Sequence, residues 1–388
     1  MILKDKIENI FTEKFGQNPS IFQSPGRINI IGEHTDYNEG FVLPAAVDKG
    51  IYVAIKPNNS SDINLFSVEY DELWKENIES IPQTGKKNWT DYILGVVCQL
   101  QKRNLPIKGF DLVIDGDIPI GSGMSSSAAV ECATVFALND LFELGLSRTE
   151  MVLIAQESEH EFVGVKCGIM DMFASMFGHK DHAIKLDCRT LEYEYFPLNL
   201  EGYKFLLLNT NVKHNLASSA YNERRQQCEQ GAIWIQEHYP DVKTLRDVSL
   251  KQLNEIVLPK DALVYKRCCY IIEEIGRLSA ACEVMQNNNF EELGKLLWAT
   301  HEGLSNQYEV SCKELDLMIS LVKNNPEVLG GRMMGGGFGG CTINLVKETA
   351  IDRIVNCVAP KYFEQTGKKL EYYIYYSEGG SSSILVKA

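Results

Sequence analysis

Pro119-Ile120-Gly121-Ser122-Gly123-Met124-Ser125-Ser126-Ser127-Ala128-Ala129 joins two stretches of opposite character. Before it, residues 109–120 (GFDLVIDGDIPI) alternate apolar and polar side chains, the pattern of a half-buried strand. After it, AAVECATVFALNDLF is an apolar, Ala-rich helix. A strand, a glycine loop and a helix start present free backbone N–H groups and the positive end of the helix dipole to an anion. The serines can cap the helix, and they can equally reach a divalent metal. No lysine follows the glycines, so this is not the G-x-x-x-x-G-K-[ST] phosphate loop.

Upstream, the run Ser24-Pro25-Gly26-Arg27-Ile28-Asn29-Ile30-Ile31-Gly32-Glu33-His34-Thr35-Asp36-Tyr37-Asn38-Glu39-Gly40 lies in residues 21–56, which read as strands broken by a polar loop from Gly32 to Gly40. Its arginine, histidine and carboxylates suit a site that holds a polyhydroxylated ligand by directed hydrogen bonds. An exposed polar hairpin loop with solvated charges reads equally well. Downstream, Gly335-Gly336-Gly337-Phe338-Gly339-Gly340 matches G-x-G-x-x-G, but the strand-like Cys341–Val346 follows it. The dinucleotide fingerprint needs a strand before and a helix after, which disfavours a nicotinamide-dependent oxidoreductase. The run is either a tight turn or a loop closing over an active site.

Between these clusters, Asp171 stands alone in an apolar run (Ile169, Met170, Met172, Phe173) and is either a helix cap or a working carboxylate. Glu159, in Glu157-Ser158-Glu159-His160-Glu161, can ligate a metal, although a solvated helix face is the default for such a charged run. His179 and His182 have no third ligand nearby and read as surface residues. Helical spacing marks the N-terminus (Ile7, Ile10, Phe11, Phe15) and stretches near 147–163, 218–237, 261–286, 290–324 and 350–366. A strand is expected at 203–210, and further strands in the last 20 residues.

The 388-residue length points to two domains with a cleft between them. An apolar fraction of 45% and a charged fraction of 23% are those of an ordinary globular protein. The net charge of −14 argues against nonspecific binding to nucleic acid or an anionic membrane. Positive surroundings for an anionic ligand must therefore be local. Eleven cysteines without a C-x-x-C pair read as reduced thiols in a cytoplasmic protein. The charged start MILKDKIENIFTEKF is neither a signal peptide nor an anchor, and no stretch approaches the roughly 18 apolar residues of a membrane span.

Taken together, the three clusters resemble the motifs of the GHMP kinase superfamily, whose members include homoserine kinase and mevalonate kinase. GRINIIGEHTDYNEGFVLP is similar to the sugar-recognition signature of its galactose-phosphorylating branch, PIGSGMSSSAA to its phosphate loop and RMMGGGFGGC to its third motif. CGIMD and SSAYNERRQQCE extend the likeness over nearly the whole chain, in order.

The resemblance implies an α+β fold in two lobes: residues 1–180 with a mixed sheet and helices, and residues 181–388 with a ferredoxin-like layer. It implies transfer of the γ-phosphoryl group of ATP to the anomeric hydroxyl of galactose. Asp171 is similar to the family's catalytic aspartate and Arg27 to the arginine beside it. Glu33, His34, Asp36, Gly168 and Tyr221 correspond to galactose contacts. Gly121, Ser122, Gly123, Met124, Ser125, Ser126 and Ser127 correspond to the triphosphate loop. Ser127 and Glu159 look like the Mg²⁺ pair. Trp89 and Tyr92 are either neighbours of the nucleotide base or core residues. A monomer acting on galactose and ATP, without nucleic acid or membrane, is expected.

Two positions depart from the family pattern: Met172, where Gln is usual and where the orientation of Asp171 is at stake, and Met334, where Thr is common. The rival readings are a kinase for N-acetylgalactosamine or arabinose, and a silent galactose and ATP sensor. Silent sensors resembling this family lack the Ser-Ala step that Ser127-Ala128 retains here.

Overall fold

The computed structural model describes residues 3–82, 88–212 and 217–384. Helix α1 (Leu3–Phe15) precedes strands β1 (Ser20–Asn29), β2 (Phe41–Val42) and β3 (Pro44–Pro57). The hairpin β4 (Asp62–Ser67) and β5 (Glu72–Asn77) leads through α2 (Trp89–Lys102) to β6 (Phe110–Gly116). Three helices follow: α3 (Ser126–Leu141), α4 (Arg148–Ser158) and α5 (Met170–Phe177). After β7 (His182–Asp187), β8 (Tyr193–Pro197) and β9 (Tyr203–Asn209) come α6 (Ala217–Gln236), the single turn α7 (Leu250–Gln252), α8 (Ala262–Gln286), α9 (Phe290–Asn306) and α10 (Lys313–Lys323). The chain ends in β10 (Val328–Met333), β11 (Cys341–Lys347), α11 (Ile351–Thr366), β12 (Glu371–Ile374) and β13 (Ser382–Ile384).

Six strands form a mixed sheet in the order β13-β1-β3-β6-β4-β5, in which only β4 and β6 run parallel. Helix α3 is apolar on nearly every side and accordingly lies inside, packed on β1 and β3 with α2, α4 and α5 around it. A second sheet, β10-β11-β9-β12, is antiparallel throughout. Its strands occur as β9, helices, β10, β11, α11, β12, which is the ferredoxin-like βαββαβ order. The α+β expectation in two lobes therefore holds. The last strand, β13, returns to the first sheet by pairing with β1.

Several elements differ from the sequence expectations for identifiable reasons. The segment 147–163 is helical only to Ser158, then widens into a π-helical turn, Glu159–Val163, that Gly164 ends at φ 83°. The segment 290–324 is two helices, because Tyr308 and Val310 turn inward and are fully buried between them. Helix α2 was not anticipated. Its start is a capping box in which the Asn88 side chain accepts from Thr90 N and Asp91 N while Asp91 accepts from Asn88 N.

Arg332, at the end of β10, ties the second sheet to the first. It is fully buried, and its guanidinium donates to Asn29 O (2.6 Å), Ile30 O (3.0 Å) and Glu33 Oε1 (2.9 Å). Removing one partner of a buried ion pair strands the other charge. Arg332→Met is expected to lower the unfolding free energy by about 3–5 kcal/mol. Urea denaturation measures this, and a loss below about 1 kcal/mol would show that Glu33 finds another partner.

Candidate active site

The phosphate-type loop leaves β6, and Gly121 (φ 75°), Gly123 (φ 77°) and Ser125 (φ 59°) all take left-handed backbone that lets it coil against α3. The third glycine run forms the turn between β10 and β11 and packs on this loop. A Cβ on Gly335 would lie 3.3 Å from Gly123 O, and one on Gly340 3.3 Å from Gly121 O. Both sequence readings of that run meet here, since it is a tight turn and also a wall of the cleft.

Asp171 sits in the first turn of α5, and the residues bonded to its carboxylate come from two distant segments. Arg27 of β1 donates through Nε and Nη2 to Oδ1, each at 2.8 Å, and Ser125 Oγ donates to Oδ2 at 2.6 Å. Arg27 also donates from Nη1 to Gly123 O, so one side chain joins the aspartate to the glycine loop. Burial would lower the Arg27 pKa, but the charges of Asp171, Glu33 and Asp36 outweigh it and hold the guanidinium above its ordinary value. Met172 points into the core and is fully buried. The carboxylate of Asp171 is thus oriented by Arg27 and Ser125 rather than by residue 172.

The loop after β1 is buried, not a solvated hairpin. Glu33 Oε1 accepts from Arg332 (2.9 Å) and from Gly335 N (2.8 Å). Burial opposes its ionisation, yet Arg332 and Arg27 keep its pKa below the usual carboxylate range. Asp36 accepts from Tyr37 N at 3.0 Å, and burial together with the Asp171 charge pushes its pKa up to about 7. Gly168 leaves room for this carboxylate: a Cβ there would lie 1.8 Å from Asp36 Oδ2. Burial pushes His34 down to about 4, so its ring is neutral. Tyr221 on α6 lies 5.3 Å from that ring, centroid to centroid.

Three cavities share walls in series. One of about 520 Å³ is lined by Tyr70, Trp89, Tyr92, Ile118, Ser127 and Val130 among others. The next, about 220 Å³, is lined by Gly121 through Ser127 with Arg27 and Asp171. The innermost, about 150 Å³, is lined by Arg27, Glu33, His34, Asp36, Ser127, Glu159, Gly168, Asp171 and Tyr221. Ser127 borders all three. Trp89 bonds Glu72 through Nε1 at 2.9 Å and stacks beside Tyr70, so it is a cavity wall anchored to β5. His179 and His182 lie away from these cavities at the surface, 3.0 Å apart through Nδ1.

Ser127 and Glu159 supply a hydroxyl and a carboxylate to one cavity wall. Such hard oxygen donors fit Mg²⁺, which draws its remaining ligands from phosphate and water. Behind Glu159 lies Glu131 of α3, a residue passed over in the sequence reading. It is fully buried, and burial followed by the Glu159 charge raises its pKa well above the carboxylate range. A carboxyl kept protonated in this way can donate a hydrogen bond to Glu159. The available signal was the one that marked Asp171, a single acid inside the apolar run AAVECATVF. Arg332, Tyr37 and Tyr308 were also missed. Their roles depend on neighbours hundreds of residues away.

A mixed sheet feeding a glycine loop into a buried helix, walled by a ferredoxin-like lobe, defines a GHMP kinase. Residues 91–179 match the GHMP kinases N terminal domain and residues 278–365 the GHMP kinases C terminal domain. Residues 9–57 match the galactokinase galactose-binding signature. The galactokinase of Thermotoga petrophila is 41% identical over 93% of this chain and 99% of its own, and that of Clostridium acetobutylicum is 38% identical over 99% and 98%. The crystal structure of Lactococcus lactis galactokinase complexed with galactose superposes with a TM-score of 0.93 at 34% identity, covering 98% of this chain and 100% of that one. The mevalonate kinase of Methanococcus jannaschii shares the fold at a TM-score of 0.64 and 19% identity, over 93% of this chain and 99% of that one. The chain belongs to the galactokinase family.

The raised Asp36 pKa carries a stability consequence of definite sign. Between the unfolded value near 3.8 and the folded value of about 7, the folded state holds a proton that the unfolded state has released. Stability contributed by this group is therefore present at low pH and lost as pH rises through 7. Asp36→Asn is expected to melt at higher temperature than the parent at pH 8, with the gap closing toward pH 5. Calorimetric melts across that range test it, and a gap independent of pH would contradict the burial of an ionisable Asp36.

Proposed function

We infer that the protein phosphorylates galactose at the anomeric hydroxyl with ATP, giving galactose 1-phosphate and ADP. The observation that carries this reading is the placement of Asp171. Its carboxylate lines both the glycine-loop cavity and the inner cavity that holds the buried carboxylates and His34. A donor phosphoryl group in the first and a sugar hydroxyl in the second would meet at this side chain.

In this reading Asp171 accepts the proton of the anomeric hydroxyl. Three donors already occupy acceptor sites on it, two from Arg27 on Oδ1 and one from Ser125 on Oδ2. A carboxylate has about four such sites, so Oδ2 retains capacity for the sugar. Arg27 holds this carboxylate in place and offsets charge on the transferring phosphoryl group. The backbone of residues 121–127 and the N-terminus of α3 cradle the triphosphate, and Trp89 and Tyr92 border the space for the base. Ser127 and Glu159 would hold Mg²⁺, which when bound neutralises phosphate charge. Glu33, His34, Asp36, Gly168 and Tyr221 would line the sugar.

The lobes are proposed to divide as residues 1–180 and 181–388, with the final strand crossing back. A cytoplasmic monomer is the proposed form. Among the described residues, no helix is long and apolar enough to cross a membrane.

A coupled assay for ADP release over a sugar panel tests the reading. Galactose is expected to exceed glucose and N-acetylgalactosamine in kcat/KM, and Asp171→Asn to lower kcat by about 10²- to 10⁴-fold with its melting transition retained. No turnover of galactose by folded protein with Mg²⁺, or near-normal kcat in Asp171→Asn, would overturn it.

A further inference from the structure

Behind the inner cavity runs a chain of side chains from three segments, buried except for the half-buried Tyr37. His34 Nδ1 lies 2.8 Å from Tyr37 Oη, Tyr37 Oη lies 2.7 Å from Tyr308 Oη, and Tyr308 Oη lies 3.2 Å from Cys228 Sγ. Tyr308 and Cys228 are fully inaccessible. The chain is held from outside as well, since Arg224 Nε donates to Tyr308 O at 2.7 Å and Tyr308 N donates to Gly303 O at 2.8 Å. The opposite nitrogen of the ring, Nε2, is buried and has no hydrogen-bond partner among the described residues. We propose that the Cys228–Tyr308–Tyr37 chain holds His34 in its Nε2–H tautomer, so that the ring donates a hydrogen bond to an oxygen of the sugar in the inner cavity.

The argument is one of donor counting. Each phenol has one proton, so the chain runs in one of two directions. In the first, Cys228 donates to Tyr308, Tyr308 to Tyr37, and Tyr37 to Nδ1; the ring proton then sits on Nε2. In the second, Nδ1–H donates to Tyr37, Tyr37 to Tyr308, and Tyr308 to the sulfur. Both contain one phenol-to-phenol bond and one weak sulfur bond. They differ in setting a phenol donating to an imidazole nitrogen against an imidazole donating to a phenol oxygen. The imidazole nitrogen is the stronger base and the phenol the stronger acid, so the first direction wins.

Two further features support a single neutral form. Burial drives the ring to the uncharged state at neutral pH, and the Arg224 and Arg332 charges act in the same sense against the Glu33 charge. The Gly336 backbone acts in the opposite sense, raising the ring's pKa, without reversing the balance. The ring is packed against Tyr37, Tyr221 and Tyr308, with centroids at 5.8, 5.3 and 4.9 Å, which fixes its plane. Tyr37 and Tyr308 are thus positioning residues, acting on the sugar through His34.

This inference rests on the sugar-phosphorylating reading, but its first test does not need a substrate. In ¹⁵N-histidine-labelled free enzyme at pH 7, with His34 assigned by comparison with His34→Gln, Nε2 is expected to carry the proton and Nδ1 to show the shift of an unprotonated, hydrogen-bonded nitrogen. Tyr37→Phe is expected to move protonation toward Nδ1 and to raise the galactose KM by about 3- to 10-fold. Its kcat and ATP KM should stay within about twofold, the signature of lost ground-state binding. Tyr308→Phe should shift both readouts in the same direction, and it carries the test if Tyr37→Phe fails to fold. An Nδ1–H ring or an imidazolium in the parent protein would overturn the proposal. So would an unchanged galactose KM in the variants. If galactose is not turned over at all, the broader reading fails while the tautomer remains legible in the spectrum.

Discussion

The buried pair between Arg332 and Glu33 is the contact on which the rest of the cleft depends. Both side chains are almost wholly removed from water, at 0% and 2% exposure. Such a pair survives only when every polar atom is satisfied. Here the guanidinium reaches carbonyls at the end of β1 as well as Glu33, and Gly335 N adds a second donor to the same carboxylate oxygen. One ion pair therefore fixes the loop bearing His34 and Asp36, the end of β10 and the third glycine turn. Because that turn lies against the first glycine loop, the contact sets the distance between the inner and outer cavities.

The electrostatics inside the cleft follow from that arrangement. The chain carries a net charge of −14, and Glu33, Asp36, Asp171 and Glu159 all line the inner cavity. Against them stand Arg27, Arg332 and the N-terminus of α3. Arg27 faces three of these carboxylates at once, which raises its own pKa despite burial. Asp36, which makes no ion pair among the described residues, moves to about 7 instead. Acids with unequal partners are what a phosphoryl-transfer site needs: one carboxylate held beside an arginine, others as directed acceptors.

The two lobes, the glycine loop and most helices were legible because each rests on local pattern. Gly121 and Gly123 mark left-handed turns wherever the chain goes, and the apolar face of α3 can only be internal. The division of 290–324 into two helices was not legible, because residues 307–312, where the break falls, hold no glycine or proline. The break comes from burial of Tyr308 and Val310 beside the inner cavity. Arg332 could not be paired with Glu33 from sequence, as 299 residues separate them. Glu131 carried the same signal as Asp171, an acid in an apolar run, and went unread because it lies outside the motifs.

The account turns on one claim, that the cleft delivers a phosphoryl group to the anomeric oxygen of galactose. ¹³C NMR of [1-¹³C]galactose incubated with the enzyme, ATP and Mg²⁺ tests it at the reacting atom. The C1 resonance is expected to shift and to split through coupling to phosphorus as ADP accumulates. An unsplit C1 signal while ADP forms would contradict the account, because the phosphoryl group would then have gone elsewhere.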